Sequence, residues 1–98
     1  MDSKQNYSPC PIDTSDVTLP ESLAPCLEAL AENVHETWAR ARVDEGWRYG
    51  AVLDEKKKVH PCLIPYHDLP EAEKDYDRAT AVATLKLICK MGYCIEKK

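Results

Sequence analysis

The 98-residue sequence has few features of membrane or nucleic-acid-binding proteins. No stretch approaches the roughly 20 apolar residues that a membrane-spanning helix needs, and the first residues lack the apolar core of a secretory signal. The net charge is −4, and the one basic run, Lys56–Lys58, directly follows two acidic residues. We therefore expect a cytoplasmic location, no membrane insertion and no nucleic-acid binding.

Sequence patterns typical of metal sites and of nucleophilic enzymes are also missing. The five cysteines are an odd number, and no CxxC motif occurs, which favours reduced thiols. His60, Cys62 and His67 form half of a zinc pattern, but a second group of ligands is absent. No Ser-His-Asp or Cys-His order indicates a nucleophile and its base. We expect no metal, no cofactor and no enzymatic activity.

The composition is that of a folded domain, with 44% hydrophobic and 31% charged residues. This length allows one hydrophobic core. We place a single domain at residues 7–96 and expect residues 1–6 to be disordered.

The clearest pattern in the sequence predicts an α-helix from Leu23 to Asp44. Apolar residues recur every three or four positions, which places them on one face of a helix; they are Leu23, Leu27, Leu30, Val34 and Trp38. Gly46 is expected just past the end of this helix.

The start of this helix depends on Pro25. With Ser22 as the N-cap, Pro25 becomes the third helical residue, where its missing amide hydrogen removes no hydrogen bond. A capping box formed by Thr18 and Glu21 is expected in the turn just before.

Residues 7–20 contain three prolines and several turn-forming side chains. Proline favours extended conformations, so we expect an extended Pro-rich arm. Its expected anchors in the core are Ile12, Val17 and Leu19.

Between the helices, short strands are expected at residues 46–53 and 58–64. The pattern favours a loose hairpin that turns at residues 54–57, with Pro61 limiting the second strand to an edge. A second helix is then predicted from residue 69 to residue 91, with Asp68 as N-cap and Gly92 as its end. A break near Arg78 with a new start at Thr80 is an equal alternative.

Several motifs in this order resemble the repeat domain of ryanodine receptors. The resemblance runs from about Tyr7 to Glu96, and its motifs are Pro9-x-Pro11-Ile12-Asp13-Thr14-Ser15, Leu30-Ala31-Glu32-Asn33-x-His35-x-x-Trp38-Ala39, Gly46-Trp47-x-Tyr49-Gly50, His60-Pro61-Cys62-Leu63 and Leu69-Pro70-Glu71-x-Glu73-Lys74. It implies a stand-alone single repeat of the kind that microbial proteins carry. The implied fold is α+β, with two principal helices and short strands between them.

The same resemblance implies an interaction and regulatory module, because the repeats of ryanodine-receptor channels have this role and occur in pairs. Our first hypothesis is a non-enzymatic module for binding or assembly, whose partner is another protein or a second copy in a homodimer. The second hypothesis is a sensor that binds an adenine nucleotide or a related ligand in an aromatic pocket. Its candidate residues are Asn33, His35, Trp38, Arg42, Trp47, Tyr49 and Tyr66.

His35 leaves three interpretations open. It is a structural histidine that bonds a backbone carbonyl and holds the arm or the hairpin, a ligand contact, or a catalytic base. Trp47 and Tyr49, separated by one residue, are expected to point to the same side of an extended chain.

Overall fold

The computed structural model describes residues 6–98. The chain forms two long helices, α1 (Leu27–Asp44) and α2 (Glu71–Lys90). Two short strands, β1 (Arg48–Tyr49) and β2 (Val59–His60), lie between them in sequence. Short 3-10 helices at Glu21–Cys26 and Tyr66–Asp68 precede the two long helices. This order confirms the predicted α+β fold with two principal helices and short strands between them.

The first helix begins later than predicted. Residues 21–26 form a 3-10 helix that contains Pro25, and α1 starts only at Leu27. Proline has no amide hydrogen to donate, and the chain here closes tighter turns, with the amides of Leu23 and Leu27 bonding the carbonyls of Pro20 and Ala24. Neither helix start has a side-chain cap, so the predictions of Ser22 as cap and of a Thr18–Glu21 capping box were wrong.

The end of α1 follows the prediction. Gly46 has a φ of +95°, the left-handed conformation that glycine adopts at low cost. The amide of Gly46 donates to the carbonyl of Val43, and that of Trp47 to the carbonyl of Arg42, both at 3.0 Å. This pair of bonds reverses the chain and returns Trp47 toward the last turns of α1.

The two strands pair in parallel, so the predicted hairpin was wrong. Arg48 lies opposite Val59, and Tyr49 opposite His60. The Asp54 carboxylate accepts bonds from the amides of Lys56 and Lys57, and the backbones of Asp54 and Val59 bond each other in both directions. The bridge between Asp54 and Val59 is antiparallel, so the chain reverses at this turn. Since β1 and β2 are parallel, the chain must also reverse between Tyr49 and Asp54, and the two reversals together give β2 the direction of β1.

The second helix is continuous, so the alternative with a break near Arg78 was wrong. The hydroxyl of Thr80 donates to the carbonyl of Tyr76, and that of Thr84 to the carbonyl of Thr80, each at 2.9 Å. Threonine can bond the preceding helical turn in this way instead of capping a new helix.

The ends of α2 lie within two residues of the prediction. Pro70 occupies the N-cap position without a side-chain bond, and Asp68 belongs to the preceding 3-10 helix. Asp68 is therefore not the cap. Gly92, with a φ of +103°, follows the C-terminal end of the helix as predicted.

Residues 7–20 contain neither a helix nor a strand. The carboxylate of Asp16 pairs with the amine of Lys90 at 3.0 Å, which holds this segment to α2. Ile12 is 62% exposed, so the prediction that it anchors in the core was wrong, whereas Val17 and Leu19 are half-buried. The predicted disorder concerns residues 1–6, of which residues 1–5 lie outside the described part of the chain.

The folded chain is a thin plate with little interior. It measures 44 × 41 × 23 Å, and only five of residues 6–98 are buried: Ala31, His35, Tyr66, Leu69 and Ala81. The accessible surface is 7801 Å², whereas a compact monomer of this length exposes about 5700 Å². No helix within residues 6–98 is long and apolar enough to span a membrane.

Candidate functional site

A cluster of rings lies where α1 meets the end of β2. The ring of Trp38 stacks on that of His35, with centroids 5.7 Å apart, and meets the edge of His60 at 4.9 Å. The guanidinium carbon of Arg42 lies 5.8 Å from the Trp38 ring and 4.9 Å from that of Trp47. Positions 35, 38 and 42 share one face of α1 because they are three and four residues apart. We call these five residues the aromatic cluster.

His35 connects α1 to the segment that follows β2. Its Nε2 donates a hydrogen bond to the carbonyl oxygen of Ile64 at 2.7 Å, and the side chain is only 4% exposed. This bond is the backbone contact that the first interpretation of His35 expected. Of the two segments named there, it holds the one predicted as the second strand, residues 58–64, and not the N-terminal arm.

His60 accepts a hydrogen bond and is therefore neutral at this position. The amide of Cys62 donates to its Nδ1 at 3.0 Å, which leaves the ring hydrogen on Nε2. Burial and the nearby Arg42 charge both lower the pKa of His60, against a smaller opposing effect of Glu73. The imidazole thus acts as a fixed, uncharged wall of the cluster.

Beside the aromatic cluster lies a cavity of about 280 Å³. Its walls come from α1, from the segment after β2 and from the first turns of α2. The lining residues are His35, Trp38, His60, Cys62, Leu69, Glu73, Tyr76 and Asp77. We call this space the acidic cavity, because its two charged lining residues are Glu73 and Asp77.

The two carboxylates of the acidic cavity are half-buried and unpaired. Within residues 6–98, neither Glu73 nor Asp77 forms an ion pair or a side-chain hydrogen bond. Burial raises the pKa of Asp77, and Glu73 raises it further while His35 acts against it. Burial, with the same two carboxylates, raises the pKa of the Cys62 thiol, which keeps it protonated and a poor nucleophile.

The acids on the neighbouring face of α2 are, by contrast, paired with Arg78. Its guanidinium bonds the carboxylates of Glu28, Glu71 and Asp75 at distances between 2.8 and 3.2 Å. The hydroxyl of Tyr66 also donates to Glu28. Burial, assisted by this bond, raises the pKa of Tyr66 to about 12. This network joins the start of α1 to the start of α2.

The structure brings together four of the seven predicted site residues. His35, Trp38, Arg42 and Trp47 belong to the aromatic cluster. Tyr66 lies 6.3 Å from the His35 ring, but its hydroxyl bonds Glu28. Asn33 is exposed on another face of α1, and Tyr49 lines a separate cavity, so neither joins the cluster, and Tyr49 and Trp47 do not form one wall.

Several residues of the site were missed from the sequence. His60 and Cys62 had been considered only as metal ligands, and among residues 6–98 no group of three or more possible ligands is suited to a metal ion. Glu73, Tyr76 and Asp77 were not recognised. Their spacing of three and four residues was the available signal, since it places them on one face of α2.

A family model described as RyR domain matches residues 7–97. The match covers nearly the whole sequence and confirms the resemblance that the motifs indicated.

Proposed function

The chain belongs to the RyR domain family, and from this premise we propose that it is a non-enzymatic binding and assembly module of the cytoplasm. The partner that best fits its surface is a second copy of the same chain. The large accessible surface carries this proposal, because it exceeds that of a compact monomer of this length by about 2100 Å². A stable interface covers about 800 Å² on each partner, so one such contact fits within this excess.

One face of the plate has the composition of such an interface. Its apolar residues lie along the outer side of α1, on β1 and on the segment after β2; they are Ala39, Val43, Tyr49, Leu63, Ile64 and Pro65. Val43 is 49% exposed and Tyr49 is 57% exposed. We call this surface, together with Glu36 and Arg48 beside it, the pairing face. A shallow cavity of about 310 Å³ lies within it.

The charges of the pairing face are self-complementary. Glu36 and Arg48 both border the shallow cavity, and neither forms an ion pair within residues 6–98. In a twofold-symmetric dimer, every contact between the copies occurs twice. Glu36 of each copy can therefore approach Arg48 of the other copy, which gives two such contacts in the dimer. A face with one acid and one base beside an apolar centre supports pairing of this kind.

Multi-angle light scattering under reducing conditions tests the proposal. We expect the mass of a dimer for the unmodified chain. Glu36→Arg or Arg48→Glu alone should raise the dissociation constant about tenfold or more, because each places like charges together at two points. The double variant exchanges the charges and should restore the dimer.

Glu55→Arg is the matched control, since Glu55 is exposed on the turn between the strands, outside the pairing face. A monomer at all concentrations would overturn the proposal of self-pairing. A dimer that both single variants leave intact would exclude the pairing face.

Nucleotide binding remains a prediction with weaker support. Arg42 lies beside Trp47 and offers one positive charge to a phosphate. The acidic cavity next to Trp38, however, presents two carboxylates, which repel phosphate groups. Calorimetry with ATP, ADP and cyclic nucleotides tests the prediction, and the absence of heat at millimolar ligand would end it.

A further inference from the structure

The acidic cavity has the chemistry of a cation site and is separate from the pairing face. Of its eight lining residues, Glu73 and Asp77 are negatively charged and none is Lys or Arg. Its volume of about 280 Å³ lies just below the range of small-molecule pockets, about 300 to 1,000 Å³. This size suits a small head group, and the two carboxylates favour a cation over an anion.

The aromatic walls narrow the ligand class further. Trp38 lines one side of the acidic cavity, and Tyr76 lines another. Tyr76 is 69% exposed and makes no ring contact within residues 6–98. Aromatic rings attract cations, most strongly organic ammonium groups that have lost part of their water. Carboxylates beside aromatic rings therefore favour an organic ammonium ion over a strongly hydrated metal ion.

The unpaired state of the carboxylates is an independent observation. Glu73 and Asp77 are four residues apart on α2, and like charges at this spacing destabilise a helix. Arg78 pairs with the acids of the neighbouring face, whereas Glu73 and Asp77 are half-buried and form no ion pair or side-chain hydrogen bond within residues 6–98. A bound cation would neutralise this repulsion.

We propose that the acidic cavity binds an organic ammonium group between the carboxylates of Glu73 and Asp77 and the rings of Trp38 and Tyr76. The group is either a small free ion, such as a choline-like molecule, or the head of a methylated lysine side chain on a partner. Both present the same positive, apolar head to the cavity.

Titration followed by nuclear magnetic resonance tests the site directly. We expect choline and tetramethylammonium, added at constant ionic strength, to shift the indole signal of Trp38 in a saturable way. The uncharged isostere 3,3-dimethylbutanol should not do so. A peptide with trimethyllysine, titrated in parallel against its unmodified form, shows whether the ligand is a free ion or a side chain.

Variants separate charge from structure. Glu73→Gln and Asp77→Asn keep the side-chain shape, and each should weaken binding about three- to tenfold. Tyr76→Ala should weaken it as well, while Tyr76→Phe retains the ring and should bind normally. Glu55→Gln removes one exposed carboxylate far from the cavity in sequence and is the matched control.

Three results would overturn the proposal. These are no saturable shift of Trp38 up to about 10 mM cation, equal binding of the uncharged isostere, or equal weakening by Glu55→Gln. The acidic cavity shares no residue with the pairing face. Failure here would therefore leave the proposal of self-pairing untouched.

Discussion

Replacing Gly50 with alanine tests how closely the two strands approach. A Cβ atom at position 50 would lie 1.8 Å from Cγ1 of Val59 and 3.2 Å from its Cβ. Rotation of the Val59 side chain relieves the first contact but not the second, so the backbone has to move. Overpacking of this kind costs about 1–3 kcal/mol. The same substitution also lowers the conformational entropy of the unfolded chain, which raises the free energy of unfolding by only about 0.4–1 kcal/mol.

Thermal unfolding followed by circular dichroism, at one fixed protein concentration, measures the net effect of Gly50→Ala. Unfolding entropy near 2.1 cal/mol/K per residue gives about 0.2 kcal/mol/K for a chain of this length. A net loss of about 1–2 kcal/mol then lowers the melting temperature by about 5–10 °C.

A double-mutant cycle with Val59→Ala isolates the contact. Without the two γ-carbons of Val59, only the 3.2 Å contact to the Cβ of residue 59 remains, so Gly50→Ala should cost less, and a coupling of about 1 kcal/mol or more is expected between the two positions. An equal loss in both backgrounds would refute this explanation, because the cost would then not come from the γ-carbons of Val59.

Three further predictions concern charge and protonation. Burial raises the pKa of Tyr66 to about 12, compared with about 10 in the unfolded chain. The stability that its neutral phenol confers is therefore complete below pH about 10 and is lost as the pH rises toward 12. Tyrosinate absorbance should show this titration, and Tyr66→Phe should remove it. Burial and Arg42 lower the pKa of His60, so its stabilising effect is complete above the unfolded value of about 6.5 and is lost as the pH falls through the lower, folded value. Urea denaturation across this range should show the loss, and His60→Gln should reduce its dependence on pH. Arg78→Gln removes three carboxylate contacts and should lower the melting temperature, by less in about 1 M salt than at low salt.

Local patterns in the sequence were reliable where neighbouring residues decide the structure. The repeat of apolar residues along α1 and the glycine after it predicted the body and the end of this helix, since both depend on bonds within a few residues. The predicted start of α1 was wrong because Pro25 permits either a first α-helical turn or a 3-10 turn. Contacts with the surrounding chain, not the proline itself, decide which of the two forms.

The pairing of the strands could not be predicted from local patterns. A turn at residues 54–57 suggested a hairpin, but the chain also reverses between Tyr49 and Asp54, before this turn. Whether a strand runs parallel or antiparallel after such a turn depends on the exit direction of the chain, which the alternation of apolar residues does not encode.

The candidate site was predicted only in part for a related reason. His35, Trp38 and Arg42 lie on one helix, so their spacing was enough to group them. Glu73 and Asp77 lie on the other helix and, in sequence, look like an ordinary solvated face. Their place beside Trp38 depends on how α1 and α2 are aligned, and that alignment is a property of the packed structure.

The thin plate has a consequence for the abundance of the protein in the cell. When the surface that completes the interior belongs to a second copy, folding and association become one equilibrium, and the folded fraction rises with the concentration of the chain. Scarce copies would then stay partly unfolded and be removed by proteases, while abundant copies would protect one another. The amount of active module would therefore respond more steeply than in proportion to its rate of synthesis.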